Sequence, residues 1–324
     1  MFKTRISEML GIEYPIIQGA IQWLSRAELV SAVSNTGGLG VISSLTFSTA
    51  EELQQEIQKT KSMTNKPFAV NVTMLPTLRP VNYEEYFNAA IEEGINIIET
   101  SGRSPEPYMK LLKDAKVTVM HRATRVRDIK TAERIGVDAV TIVGFEAAGH
   151  PGMEDVTSLV RIPIAVDAVK IPVIAAGGIA DARGFVAALA LGAEGVLMGT
   201  RFVASKECNI HPNIKEWLLQ LGEADTIMIQ RSIKNAARAV KTDYTQRVLE
   251  MEEKGATLEE LLPLLSGNKQ KAAYINGDVS DAVMTIGQAV GLIHEIPSVG
   301  EIIESIITEA KLIGQRLYNI GISV

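Results

Sequence analysis

Residues 171–181 read IPVIAAGGIAD, and the chain continues as ARGFVAALALGAEGVLMGTR to Arg201. PVIAA, from Pro172, is a short apolar run without alternation, as expected of a strand covered on both faces of a parallel sheet. Residues 181–191 then show helical periodicity. Gly192 follows as a left-handed stop, and GVLMG, from Gly195, is the next strand. Working backwards, the same unit recurs. Further strand-like runs are PIIQGA (from Pro15), LGVISS (Leu39), FAVNVT (Phe68), INIIET (Ile95), VTVMH (Val117) and DAVTIV (Asp138). Helical patterns lie between them at 26–35, 49–61, 83–93, 105–114, 125–135 and 155–169, and Gly94 and Gly136 repeat the stop seen at Gly192. Strand-like runs each followed by a helix predict an α/β fold, a (β/α)8 TIM barrel, in preference to a doubly wound sheet.

The repeat ends near Arg201. From His211 to about Ser298 the segments IKEWLLQLG, DTIMIQRSIKNAARAVK, YTQRVLEMEEKG, LEELLPLLSG and SDAVMTIGQAVGLIHE all read as helical. A last helix, 300–318, carries an apolar stripe through Ile302, Ile303, Ile306, Ile307, Ile313 and Leu317. The expected organisation is a barrel of residues 1–210 and 299–324, closed by that returning helix. Residues 211–298 would form a small helical lid over the C-terminal face, where such barrels carry their active sites.

Composition narrows the function. The chain has 324 residues, 46% of them apolar, with a formal charge of -6 and one cysteine, Cys208. It is long enough to bury a core without staples. A single cysteine excludes a disulfide framework or a cysteine-based zinc cluster and suggests a reducing compartment. The acidic balance argues against nucleic acid or an anionic lipid surface as partner. The start, MFKTRISEMLGIEYP, lacks the apolar core of a secretory signal, and the richest apolar stretch is broken by Gly192, Glu194 and Gly195. A cytoplasmic enzyme acting on a small molecule is expected, with a homodimer as candidate assembly. No P-loop, HExxH or G-x-S-x-G elbow occurs, no metal cluster is expected, and the glycines at 37–40 precede a strand, the wrong context for a dinucleotide loop.

Candidate site residues cluster at the predicted strand ends. Gly177 and Gly178 follow the seventh strand, and Gly199 and Thr200 the eighth. This pair of loops suits a phosphate held by backbone N–H groups and a helix N-terminus, although Gly177 and Gly178 would also serve a plain tight turn. Polar groups recur at the other ends: Gln18 with Gly19 and Ala20, Asn71, His121 with Arg122, and Glu146 through Gly149 to His150. Asn71 can donate and accept at the edge of a planar heterocycle. Arg122 would stabilise negative charge on an electron-accepting ring or sit in an ordinary rim salt bridge. His150, in the loop AGHPG, is the candidate for proton transfer or substrate binding. His211, before Pro212, is expected to cap or pack, and His294 to lie at the surface.

Taken together, YPIIQGAIQW (from Tyr14), GGLGVIS (Gly37), KPFAVNVTMLP (Lys66), GFEAAGHPG (Gly144), IPVIAAGGIAD (Ile171) and LMGTRFVASKEC (Leu197) resemble the nitronate monooxygenase, or 2-nitropropane dioxygenase, family. That family includes FMN-dependent NADH:quinone reductases and flavin-type enoyl-acyl-carrier-protein reductases. The resemblance implies FMN across the barrel mouth. Gln18, Gly19, Ala20 and Ile21 would lie along the ring system and Asn71 at its polar edge. Arg122 would lie beside it, where relatives often have lysine, with Glu146 among the cofactor-binding residues. Gly149, Gly177, Gly178, Gly199 and Thr200 would hold ribityl and phosphate, and Gln288 would reach in from the lid. His150 matches the histidine implicated in proton transfer or substrate positioning. The segment TMLPTLRPVNYEEY (from Thr73) is most similar to the NADH:quinone reductase subgroup, so NADH or NADPH is the expected co-substrate. Leu78, however, replaces an expected polar residue. Oxidation of an alkyl nitronate, enoyl reduction and a non-redox phosphate-binding barrel are the alternatives.

Overall fold

The computed structural model describes residues 2–74 and 81–321, so Leu78 lies outside the described residues. In chain order the elements are α1 (Arg5–Leu10), β1 (Ile16–Gln18), α2 (Ala27–Asn35), β2 (Gly40–Ser43), α3 (Ala50–Met63), β3 (Phe68–Met74), α4 (Tyr83–Glu92) and β4 (Ile97–Gly102). They continue with α5 (Met109–Asp114), β5 (Thr118–Ala123), α6 (Val126–Arg134), β6 (Ala139–Val143), α7 (Ser158–Ala168), β7 (Val173–Ala176), α8 (Ala182–Ala190) and β8 (Gly195–Met198). The strands are parallel throughout, in the order β1-β8-β7-β6-β5-β4-β3-β2. Ile17 opposite Leu39 joins β1 to the start of β2, and the Gln18 N–H donates to the Leu39 carbonyl at 2.9 Å. The ring is therefore closed, a (β/α)8 TIM barrel as the repeat predicts.

Each strand buries both faces, which is why its apolar run is continuous. Ile17, Val41, Ala69, Ile97, Met120, Ala139, Ile174 and Leu197 fill the inside of the barrel, and Ile6 and Leu10 of α1 close its N-terminal end. Their neighbours Val70, Ile98, Val119, Val140, Val173 and Val196 meet the helices outside. Full burial of such a side chain stabilises by roughly 1.5–3 kcal/mol, so the two layers dominate the fold. The period of two also assigns the polar residues: Asn71, Glu99, Arg122 and Thr141 share the inner face, whereas Gln18 and His121 face out.

His121 consequently packs between sheet and helices, 3% exposed, with Nδ1 2.9 Å from Thr100 Oγ1. Burial pushes its pKa down to about 4, with Asp128 opposing and Arg122 reinforcing the shift. An unfolded histidine takes up a proton near pH ~6.5, so between that value and about 4 the unfolded chain binds a proton that the folded chain refuses. Stability is therefore whole above pH ~6.5 and falls as pH drops, by about 3 kcal/mol in all. Urea unfolding at pH 7 and pH 4.5 should show this loss, and His121→Asn should flatten it. An equal acid loss in the variant would assign the effect to other groups.

After β8 come α9 (Thr200–Val203), α10 (Pro212–Leu218), β9 (Thr226–Ile229), β10 (Ala237–Val240), α11 (Asp243–Glu253), α12 (Leu258–Leu261), α13 (Gly267–Asn276), a 3-10 turn (Gln288–Leu292) and α14 (Val299–Gly321). The block is thus not wholly helical. The expected helix in DTIMIQRSIKNAARAVK is an antiparallel hairpin pairing Ile229 with Ala237 and Thr226 with Val240. Its reversal uses Gln230 and Lys234 in the left-handed region, at φ 65° and 56°. SDAVMTIGQAVGLIHE likewise forms only the 3-10 turn. The hairpin, Tyr244, Val248, Leu261 and Val283 share a small core of their own. α14 returns to pack on α8 and α2 through Ile302, Ile303, Ile306 and Ile307, while Ile313 is half-buried and Leu317 stands exposed. Among the described residues no helix is long and apolar enough to cross a membrane.

Candidate active site

The C-terminal strand ends bring most of the expected residues together. At β7, Gly177 and Gly178 both adopt positive φ, 99° and 75°. A side chain would be strained at either, and a Cβ on Gly177 would lie 3.1 Å from the Gly144 backbone at the end of β6. The turn alone requires glycine here. The start of α8 is already committed, because the Asp181 carboxylate accepts from the Arg183 and Gly184 N–H groups. A phosphate would therefore rely on the loop backbone and on Gly199 and Thr200, not on the α8 N-terminus. A Cβ at Gly149 or Gly199 would meet nothing within 4 Å, so both backbones border open space.

The loop after β6 is latched twice. Glu146 does not project as a free ligand: its carboxylate accepts from Ser158 N at 3.0 Å and from Ser158 Oγ at 3.0 Å. Its carbonyl accepts from Gln288 N at 3.0 Å, and Gly287 N donates to Thr200 Oγ1 at 3.0 Å. The 3-10 turn thus joins the β6 and β8 loops, bringing Gln288 to the site through its backbone and leaving the Thr200 O–H to donate. The second latch is Arg238 of β10. It exchanges backbone bonds with Gly149, and its guanidinium donates to the Phe145 carbonyl at 3.1 and 2.9 Å and to Thr226 Oγ1 at 2.8 Å. It also lies 4.4 Å from the Phe145 ring centroid. Burial pushes its pKa down, against the pull of Glu146 and Asp155.

His150 sits between barrel and hairpin, with Nε2 3.2 Å from Asn235 Nδ2. The residue is exposed. Protein on the other sides still disfavours the charged form, and this desolvation lowers its pKa. The neutral imidazole, a base, is therefore favoured near pH 7.

Inside the mouth, Asn71 Nδ2 donates to Glu99 Oε2 at 2.7 Å, and its Oδ1 accepts from Thr73 Oγ1 at 2.7 Å. Arg122 Nη2 lies 3.7 Å from Glu99 Oε2, an ion pair that sequence reasoning left open. Glu99 itself was missed, hidden in the run INIIET. At β1 the expected residues are mostly engaged with protein. Gln18 is fully buried, bonded to Ser25 Oγ at 2.7 Å, to the Gly19 carbonyl and from Val41 N at 3.1 Å. Gly19 N donates to the Met198 carbonyl at 2.9 Å and Ile21 N to Ser25 Oγ at 2.7 Å, so of this triplet the Ala20 N–H is the one without a partner among the described residues.

The remaining candidates are structural. His211 caps α10, accepting from Asn213 N, and His294 is exposed. Cys208 is buried, which raises its thiol to about 12. Two surface clefts, of about 300 Å³ beside Gly37 and about 610 Å³ between α8 and α14, are lined by none of the candidate site residues. Among the described residues no cluster could hold a metal.

Known proteins are similar to this chain over most of its length. The family model described as nitronate monooxygenase matches residues 3–309. A probable nitronate monooxygenase of Staphylococcus aureus is 31% identical over 97% of this chain and 99% of that protein. The (3aS,4S,5R,7aS)-5-hydroxy-7a-methyl-1-oxo-octahydro-1H-indene-4-carboxyl-CoA dehydrogenase of Mycobacterium tuberculosis is 30% identical over 95% and 96%. The structure of FabK from Thermotoga maritima superposes with a TM-score of 0.91 at 36% identity, over 98% of this chain and 99% of that one. A likeness this extensive, running from α1 through the block after β8 into α14, means that the chain belongs to the nitronate monooxygenase family.

Proposed function

We propose that this protein is an FMN-dependent oxidoreductase of small molecules, with NADH or NADPH as electron donor and a quinone-like compound as acceptor. The observation that carries the reading is the open space beside Gly199 and Gly149, with His150 at the same end of the barrel. The residues fit FMN on two counts. Gly178, Gly199 and Thr200 offer backbone and a hydroxyl donor to a phosphate. Inside the mouth, Glu99 Oε1 and Thr141 Oγ1 are buried without a hydrogen-bond partner among the described residues, which marks a polar lining unspent on the fold.

Bound there, FMN would supply two-electron transfer between donor and acceptor. The chain's own residues do the rest. Ala20 N–H and the Asn71 amide would orient a planar ring, Arg122 adds positive charge at the mouth, and the Arg238 clamp holds the hairpin against the loop after β6. His150 would accept or return a proton at a substrate held beside the hairpin.

Two other readings rest on specific likenesses. The Staphylococcus aureus relative favours an alkyl nitronate as donor with dioxygen as acceptor. The Mycobacterium tuberculosis relative, named for a CoA thioester, favours an acyl-thioester substrate, the class to which enoyl reduction belongs. The test begins with the visible spectrum of the purified protein supplied with FMN, expected yellow. A colourless protein would support a non-redox phosphate-binding barrel. Anaerobic mixing should then bleach the absorbance with NADH or NADPH. Bleaching by propionate 3-nitronate alone would replace the leading reading with the nitronate one, and NADH oxidation driven only by a crotonyl thioester would replace it with the third.

A further inference from the structure

Glu99 is the most buried ionisable group in the mouth, with no exposure at all, and the proposed chemistry gives it no task. It lies on the inner face of β4, level with Asn71 of β3 in the strand register. Its Oε2 accepts from Asn71 Nδ2, while Oε1 accepts nothing among the described residues. Arg122, on the same inner face in β5, approaches within 3.7 Å, too far for a hydrogen bond, and its other polar neighbour is Ser101 Oγ at 3.5 Å. The guanidinium is therefore held by charge and one long bond to Ser101, and its side chain remains 21% exposed. A carboxylate so deep needs a compensating charge. Among the described residues Arg122 is the one cation within ion-pair distance of it.

We propose that Glu99 is a positioning residue that partly neutralises Arg122, thereby setting how strongly the mouth favours the electron-rich form of the cofactor. This rests on the flavin reading above. Arg122 alone would bring a full positive charge to the mouth and draw electrons onto the ring. Paired with Glu99 it brings a dipole, and the reduced form is favoured less. The same carboxylate fixes the Asn71 amide, with its nitrogen pointing to Glu99 and its oxygen to Thr73.

The test is the two-electron reduction potential of bound FMN, measured by dye-equilibrated titration. Glu99→Gln keeps the shape and an acceptor for Asn71 but removes the charge. It should shift the equilibrium at least tenfold toward the reduced form, about 30 mV for a two-electron couple, while the FMN dissociation constant changes less than threefold. In an Arg122→Gln background the buried carboxylate loses the compensating charge its depth requires and is held neutral, so the same substitution should shift the potential by less than a third as much. Glu99→Asp, which retains the charge at a shorter reach, should move it in the same direction by a smaller amount, and serves if Glu99→Gln does not fold. An unchanged potential in both Glu99 variants would overturn the proposal. So would an equal shift without Arg122, since the effect would not pass through the guanidinium. A wild-type protein that binds no FMN would overturn the reading beneath the proposal, and the proposal with it.

Discussion

Replacing His150 with alanine should lower turnover by about 10²–10³-fold while leaving FMN bound, within the range that a positioned acid or base contributes. Its ring nitrogen pairs with the hairpin residue Asn235, so cofactor affinity should not follow the rate. The pH profile separates proton transfer from simple positioning. Desolvation lowers the imidazole pKa, so the base form persists below the usual histidine range. As pH falls through the lowered value the ring becomes charged and can no longer accept a proton. The wild-type rate should therefore drop on an acid limb lying below pH ~6.5, and His150→Ala should lack that limb. A variant with an undiminished rate, or with the limb intact, would remove His150 from proton transfer.

Arg238→Met should cost about 3 kcal/mol of stability and raise KM more than it lowers kcat. The guanidinium makes three hydrogen bonds, to the Phe145 carbonyl twice and to Thr226, from a side chain only 2% exposed. Methionine fills much of the volume but leaves both oxygens without that donor, and each buried unpaired group costs roughly 1–3 kcal/mol. The damage lies where β10 meets the His150 loop. Urea unfolding gives the first number, and hydrogen exchange at Gly149 and Arg238 should show the paired backbone opening first. Arg238→Lys should fall between, since an ammonium cannot fork between the two acceptors. A loss under 1 kcal/mol with KM unchanged would mean the hairpin is held without the clamp.

The barrel was legible because its signals are local. Continuous Val- and Ile-rich runs and the stops at Gly94, Gly136 and Gly192 each lie within a few residues. The hairpin was not, for Ile229, Ile233, Ala236 and Val240 fall at helical spacing, and the turn between the strands places Gln230 and Lys234 at positive φ with no glycine to announce it. At the site, sequence marked which strand ends are polar but not which way the side chains face. Gln18 looked like a ligand-facing amide, yet it faces outward and is satisfied by Ser25, Gly19 and Val41. Glu146 looked like a cofactor residue and fastens Ser158 instead. Glu99 passed as part of an apolar strand, because its inward aim emerges only when neighbouring strands set the register.

The return of α14 bears on how the chain is made. All eight strands are complete at Met198, but the helix that covers α8 and α2 begins at Val299. At about 5–20 residues per second, the intervening stretch occupies a ribosome for roughly 5–20 s. Through that interval the nascent barrel carries an uncovered apolar seam, and the helix that seals it is made only after the whole of the intervening block.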